Sequence, residues 1–109
     1  MEWKIIYYSR AVFDEIMSMT KILKARFVAL TDMMLEYASN IGMPHTCAMG
    51  QGLFEMRIKD KSGIARVFYC TKRNKNIVVL HSFIKKTQKT PNAELEIARS
   101  RAKEVKEND

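Results

Sequence analysis

The sequence predicts an α+β fold in the order β-α-α-β-β-β-α: a small, mainly antiparallel sheet with two N-terminal helices packed on one face and a C-terminal helix. Three observations predict it. Apolar residues recur at helical spacing from Leu23 to Ala38, the period drops to two from Leu53 onward, and Thr90-Pro91 opens a last helical stripe. Neither layer can bury its apolar stripe alone, so the helical pair must cover the sheet.

Each element has its own signature. Trp3 to Tyr8 is rich in aromatic and β-branched residues and reads as a strand. Ser9 is placed to cap a short helix over 10–18, with Val12, Phe13, Ile16 and Met17 inward. The chain turns at Ser18–Thr20, and a longer helix runs to about Asn40 on the stripe Leu23, Phe27, Leu30, Met34 and Ala38. Most of this region is core, which assigns its methionines to packing. Gly42 fits a C′ position, Pro44 prevents continuation, and Met43–Gln51 reads as loop.

In Leu53–Lys59, Phe54, Met56 and Ile58 point one way and Glu55, Arg57 and Lys59 the other, as in a half-buried strand. Asp60–Gly63 turns, Ile64–Thr71 forms the next strand, and Lys72–Asn76 the next connection. Ile77–Lys86 is apolar on both faces as far as Ile84, which predicts a central or long strand. By alternation His81 shares a side with Ile77, Val79 and Phe83. Thr90 as N-cap and Pro91 at N1 start the final helix, whose stripe is Leu95, Ala98, Ala102 and Val105. Arg99, Arg101, Lys103 and Lys106 then lie largely on its other faces.

The 109 residues have room for a single domain, 1–109, and a composition 47% hydrophobic and 28% charged is that of a soluble globular protein. No apolar stretch approaches the ~20 residues of a membrane span, and the N-terminus lacks signal-peptide character. A cytoplasmic location is the expectation, without membrane association. Cys47 and Cys70 lack CxxC spacing, and with only His45 and His81 as further nitrogen ligands no metal or other cofactor is expected.

Charge is more informative. The net +7 is confined to residues 51–90, where Arg57, Lys59, Lys61, Arg66, Lys72, Arg73, Lys75, Lys85, Lys86 and Lys89 face only Glu55 and Asp60. Basic side chains at set positions on apolar strands suit a polyphosphate held against a rigid sheet.

The stretches Gly52-Leu-Phe-Glu-Met-Arg57, Gly63-Ile-Ala-Arg-Val-Phe-Tyr69 and His81-Ser-Phe-Ile-Lys-Lys-Thr-Gln-Lys-Thr-Pro91 resemble the HigB/RelE-type toxins of bacterial type II toxin–antitoxin pairs, in particular the phage-associated HigB-like branch. The resemblance covers nearly the whole chain. It implies a RelE-like fold and a metal-independent, ribosome-dependent endoribonuclease that cuts mRNA and so inhibits translation. It also implies a helix-turn-helix, HigA-like antitoxin, with operator DNA bound only through the toxin–antitoxin complex. By position it implies catalytic roles for Arg57, Arg66, Lys85 and Lys86, with Lys59 close by. The chain departs from RelE proper at Glu55, where that branch has a strand lysine, and at Pro91-Asn92, where it has a tyrosine.

The chemistry narrows the roles. Cleavage through the neighbouring 2′-hydroxyl needs charge stabilisation at phosphorus, which a planar arginine fork supplies, so Arg57 and Arg66 take that part. A lysine crowded by cations loses its proton more easily, so Lys86 or Lys85 can exchange protons. His81 is the other acid–base candidate, against its reading as a core histidine. Lys59, Lys61, Lys72, Arg73, Lys75, Gln88 and Lys89 are expected to contact RNA. Two rivals remain: a ParE-like toxin that acts on DNA gyrase without nuclease activity, and a non-catalytic nucleic-acid-binding module.

Overall fold

The computed structural model describes residues 3–36, 46–85 and 90–109. In chain order these form β1 (Lys4–Tyr7), α1 (Arg10–Met17), α2 (Lys21–Glu36), β2 (Thr46–Gly50), β3 (Leu53–Asp60), β4 (Gly63–Thr71), β5 (Asn76–Lys85) and α3 (Asn92–Glu107). The α+β class and the order of the other elements agree with the sequence reading, and β2 is additional. The end of α2 beyond Glu36, with Ala38, Asn40, Gly42 and Pro44, lies outside the described residues.

One five-stranded sheet runs in the order β1-β5-β4-β3-β2. β1 pairs parallel with β5 and the other neighbours are antiparallel. The segment expected to be loop contributes β2 because Gly50, Gln51 and Gly52, at φ 89°, 56° and 78°, reverse the chain within three residues. That turn folds a short edge strand back on β3.

Each helix forms where its caps and apolar spacing coincide. The Ser9 hydroxyl accepts from the Val12 amide at 3.3 Å, and the Thr20 hydroxyl accepts from the Leu23 amide at 3.1 Å. α1 and α2 then bury Val12, Ile16, Leu23, Phe27, Leu30 and Met34 against Met56, Ile58, Ala65, Val67, Tyr69, Ile77 and Val79. α3 covers part of the opposite face, where Ala98 and Ala102 meet Leu53, Phe68, Cys70, Val78 and Leu80. The small alanines let α3 lie close to the sheet.

Both sheet faces are therefore covered, which explains why β4 is buried from Ile64 to Cys70. Arg99 and Arg101, expected on other faces of α3, instead fasten it to the sheet. Arg99 donates to the Met49 carbonyl at 2.6 Å and Arg101 to the Leu80 carbonyl at 2.7 Å.

Candidate nucleic-acid interface

The register of three strands fixes a grid of side chains on the α3 side of the sheet. Glu55 lies beside Phe68, which pairs with His81; Arg57 beside Arg66, which pairs with Phe83; Lys59 beside Ile64, which pairs with Lys85. Residues two apart on a strand share a face, so the rows are ~7 Å apart. α3 packs on the apolar rows below, and the ionic rows continue past it toward the end of β5.

A bulge sets this face. Phe68 pairs with His81 while Tyr69 pairs with Val79, so Leu80 is an extra residue in β5. The expectation that His81 and Phe83 share a side with Ile77 and Val79 is thereby corrected. Ile77 and Val79 enter the core under α1 and α2, whereas His81 and Phe83 stack near Phe68 at 6.3 and 6.1 Å. Arg101 takes up the Leu80 carbonyl at the bulge.

Glu55, the departure from the RelE pattern, is the centre of the ionic rows. It is fully buried, and Arg57 Nε donates to its Oε1 at 2.6 Å. Arg66 Nε stands 3.9 Å from its Oε2, with the Arg66 side chain also fully buried. The Arg66 guanidinium lies 5.9 Å over the Phe83 ring. Burial, then the neighbouring Arg57, pushes the Arg66 pKa down, and Glu55 opposes both.

Thr90 was expected to cap α3. Its hydroxyl donates instead to Glu55 Oε2 at 2.6 Å, and Pro91 occupies the cap position without a side-chain hydrogen bond. A buried carboxylate needs several donors, and Glu55 draws them from its own strand and from the segment leading into α3.

His81 Nε2 lies 2.6 Å from Glu94 Oε1, and Glu94 stands in the first turn of α3, where a helix favours negative charge. The pair faces a cleft at the edge of β5 beyond β1, lined by Glu15, Ser18, His81, Phe83 and Glu94. A histidine held through one ring nitrogen by a carboxylate has a fixed orientation and a second nitrogen free to exchange a proton.

The structure thus gathers Arg57, Lys59, Arg66, Lys85 and His81 on one face. Arg57 is 29% exposed, Lys59 and Lys85 are exposed, and Lys61 projects from the turn at the same end. Gly63 keeps the strand ends together, since a Cβ there would stand 3.1 Å from the Lys85 carbonyl oxygen. Lys72, Arg73 and Lys75 lie in the β4–β5 turn at the opposite end of the sheet and do not join the group. Lys86, Gln88 and Lys89 lie outside the described residues. Tyr69 faces the other core, stacked on Phe54 at 5.4 Å, and is removed from the interface. Sequence reasoning missed Glu55, Thr90 and Glu94 as members of the site; an acid at an outward strand position flanked by bases was the available signal for Glu55. Among the described residues no group of three or more His, Cys, Asp or Glu is gathered that could hold a metal.

The family model described as Phage derived protein Gp49-like (DUF891) matches residues 14–103. Among solved structures, the chain is similar to a double arginine-to-alanine mutant of the E. coli toxin RelE in the free state. That match has a TM-score of 0.55 at 16% identity and covers 96% of this chain and 98% of the other. The two share a fold. No curated protein matches.

Proposed function

The chain belongs to the phage-derived Gp49-like family and has the RelE fold, and from that premise we propose that it is the toxin of a type II toxin–antitoxin pair. In this reading it cuts mRNA on the ribosome and is neutralised by a helix-turn-helix antitoxin. The observation that carries the reading is the three-strand grid that gathers Arg57, Arg66, Lys59 and Lys85 beside His81.

The proposed reaction uses the RNA's own 2′-hydroxyl. Its oxygen attacks phosphorus, the bond to the 5′-oxygen breaks, and a 2′,3′-cyclic phosphate remains. One proton leaves the nucleophile and one reaches the departing oxygen. Arg57, the more accessible guanidinium, holds the phosphoryl oxygens, and Arg66 supports it from beneath as a fixed positive charge. Lys59 and Lys85 neutralise the adjoining backbone. His81, oriented by Glu94, exchanges a proton, with Lys85 or Lys86 as the other exchanging group.

One observation favours the gyrase-directed rival: Glu55 already engages both arginines, as a structural ion cluster would. Induction of the chain in a bacterium, with mRNA 5′ ends mapped by primer extension, separates the two. Cuts within translated codons that vanish in Arg57→Ala are expected. Growth arrest with intact mRNA and a DNA-damage response would overturn the nuclease reading.

A further inference from the structure

α2 carries two apolar stripes, and the fold uses one. Leu23, Phe27, Leu30 and Met34 are buried against the sheet. On the far side Ile22 is 49% exposed and Met33 42% exposed, and Ala25 and Ala29 between them are exposed as well. Their spacing places all four on one outer helical face. Met19 and Met34 pack inside as expected of this region, but Met33 does not, and neither does Met17 of α1, which was expected inward and is 39% exposed.

The charges beside this stripe run against the helix's own dipole. Lys21 and Lys24 stand in the first turn and Asp32 and Glu36 near the end, with no acid in the first turn and no base in the last. A lone helix is stabilised by the reverse arrangement. On the other flank Arg26 is engaged, donating to the Lys59 carbonyl. The exposed flank with Lys21, Asp32 and Glu36 is thus self-complementary: turned end for end, its basic start meets its acidic finish.

We propose that this face pairs two copies of the chain, α2 lying antiparallel on α2 of the second copy. Ile22 packs against Met33 of the partner subunit, and Ala25 and Ala29 let the axes approach closely. Lys21 faces Asp32 and Glu36 of the partner subunit, and the two helix dipoles oppose one another favourably. The interface is isologous, as a two-fold dimer requires. One pair of 16-residue helices makes an interface at the small end of the stable range. α2 lies on the sheet face opposite Arg57 and His81, so pairing leaves both copies of the grid open. The inference rests on α2 alone and stands whether or not the chain is a nuclease.

Sedimentation equilibrium of the full chain over micromolar to submillimolar concentration tests it, with circular dichroism to verify folding. The chain is expected to dimerise. Lys21→Glu, or Asp32→Lys with Glu36→Lys, is expected to raise the dissociation constant by about tenfold or more. An equimolar mixture of the two variants is expected to restore the dimer. A monomer at every concentration, a dimer indifferent to both variants, or a mixture that fails to re-form would each overturn the proposal. A chain monomeric alone, whose charge reversals release a co-expressed antitoxin, would also overturn it and assign the stripe to that partner.

Discussion

A carboxylate with no exposed surface, Glu55 is compensated by Arg57 at 2.6 Å and by Arg66 at 3.9 Å, itself fully buried. Removing one member of such a cluster leaves the other charges buried and uncompensated, at a cost of about 3–5 kcal/mol. Glu55→Ala should therefore lose stability on that scale in urea unfolding. Glu55→Gln should lose less, because the amide oxygen still accepts from Thr90. Tyr69 gives a second prediction at this scale. Burial pushes its phenol up to about 12 against the weaker opposing effect of the Thr46 hydrogen bond. The unfolded chain ionises its tyrosines near pH ~10, so this group's folded pKa is the raised one. Its stabilisation is intact below pH ~10 and is lost as pH rises from there toward 12. The urea midpoint should fall across that window, and Tyr69→Phe should flatten the fall. Tyr7, also pushed up by burial, accounts for a residual slope.

At the scale of the element, β5 and its bulge decide which residues reach the interface. Leu80 is the extra residue, and Arg101 from α3 donates to its carbonyl at 2.7 Å while lying 4.9 Å over the Tyr8 ring. Arg101→Ala leaves that carbonyl without its donor and should destabilise the protein by about 1–3 kcal/mol. Amide exchange should quicken first around His81. Strand alternation could not show the bulge: Ile77, Val79, His81 and Phe83 read as one side because period two carries no mark of an inserted residue. Helices were easier to read, since Ser9 and Leu23 to Met34 carry caps and spacing together. β2 was hidden because Thr46–Gly50 lacks apolar alternation, and its pairing depends on the positive φ angles of the Gly50–Gly52 turn. Of the candidate site, Arg57, Arg66 and Lys85 were legible as bases at set strand positions. Thr90 and Glu94 were not, because their roles arise only when distant segments meet; Glu55 stood two residues from Arg57 on the same strand face, but strand alternation carried no mark of its burial.

Over the whole molecule the basic charge divides into two ends. Arg57, Lys59, Lys61 and Lys85 gather where β5 finishes, while Lys72, Arg73 and Lys75 occupy the β4–β5 turn, next to Lys106 of α3. Arg57 lies opposite Arg66 and Lys59 opposite Ile64, six and eight residues before Lys72, a separation of roughly 20–27 Å at ~3.4 Å per residue. That is several times the ~8 Å screening length at physiological salt, so neither end strengthens the other except through a polyanion long enough to touch both. A large structured RNA satisfies that condition and a short oligonucleotide does not. Replacing Lys72, Arg73 and Lys75 with glutamine should weaken association with the ribosome and lower the salt-dependence slope by roughly 2–3. It should leave cleavage of already bound mRNA unchanged. Arg57→Ala should do the reverse, keeping most of the salt slope while abolishing cuts. Ribosome pelleting across a salt series, with primer extension on the same samples, measures both quantities. Cleavage lost together with binding in the turn variant would mean that the two ends serve one surface, and the separation argued from β4 would be wrong.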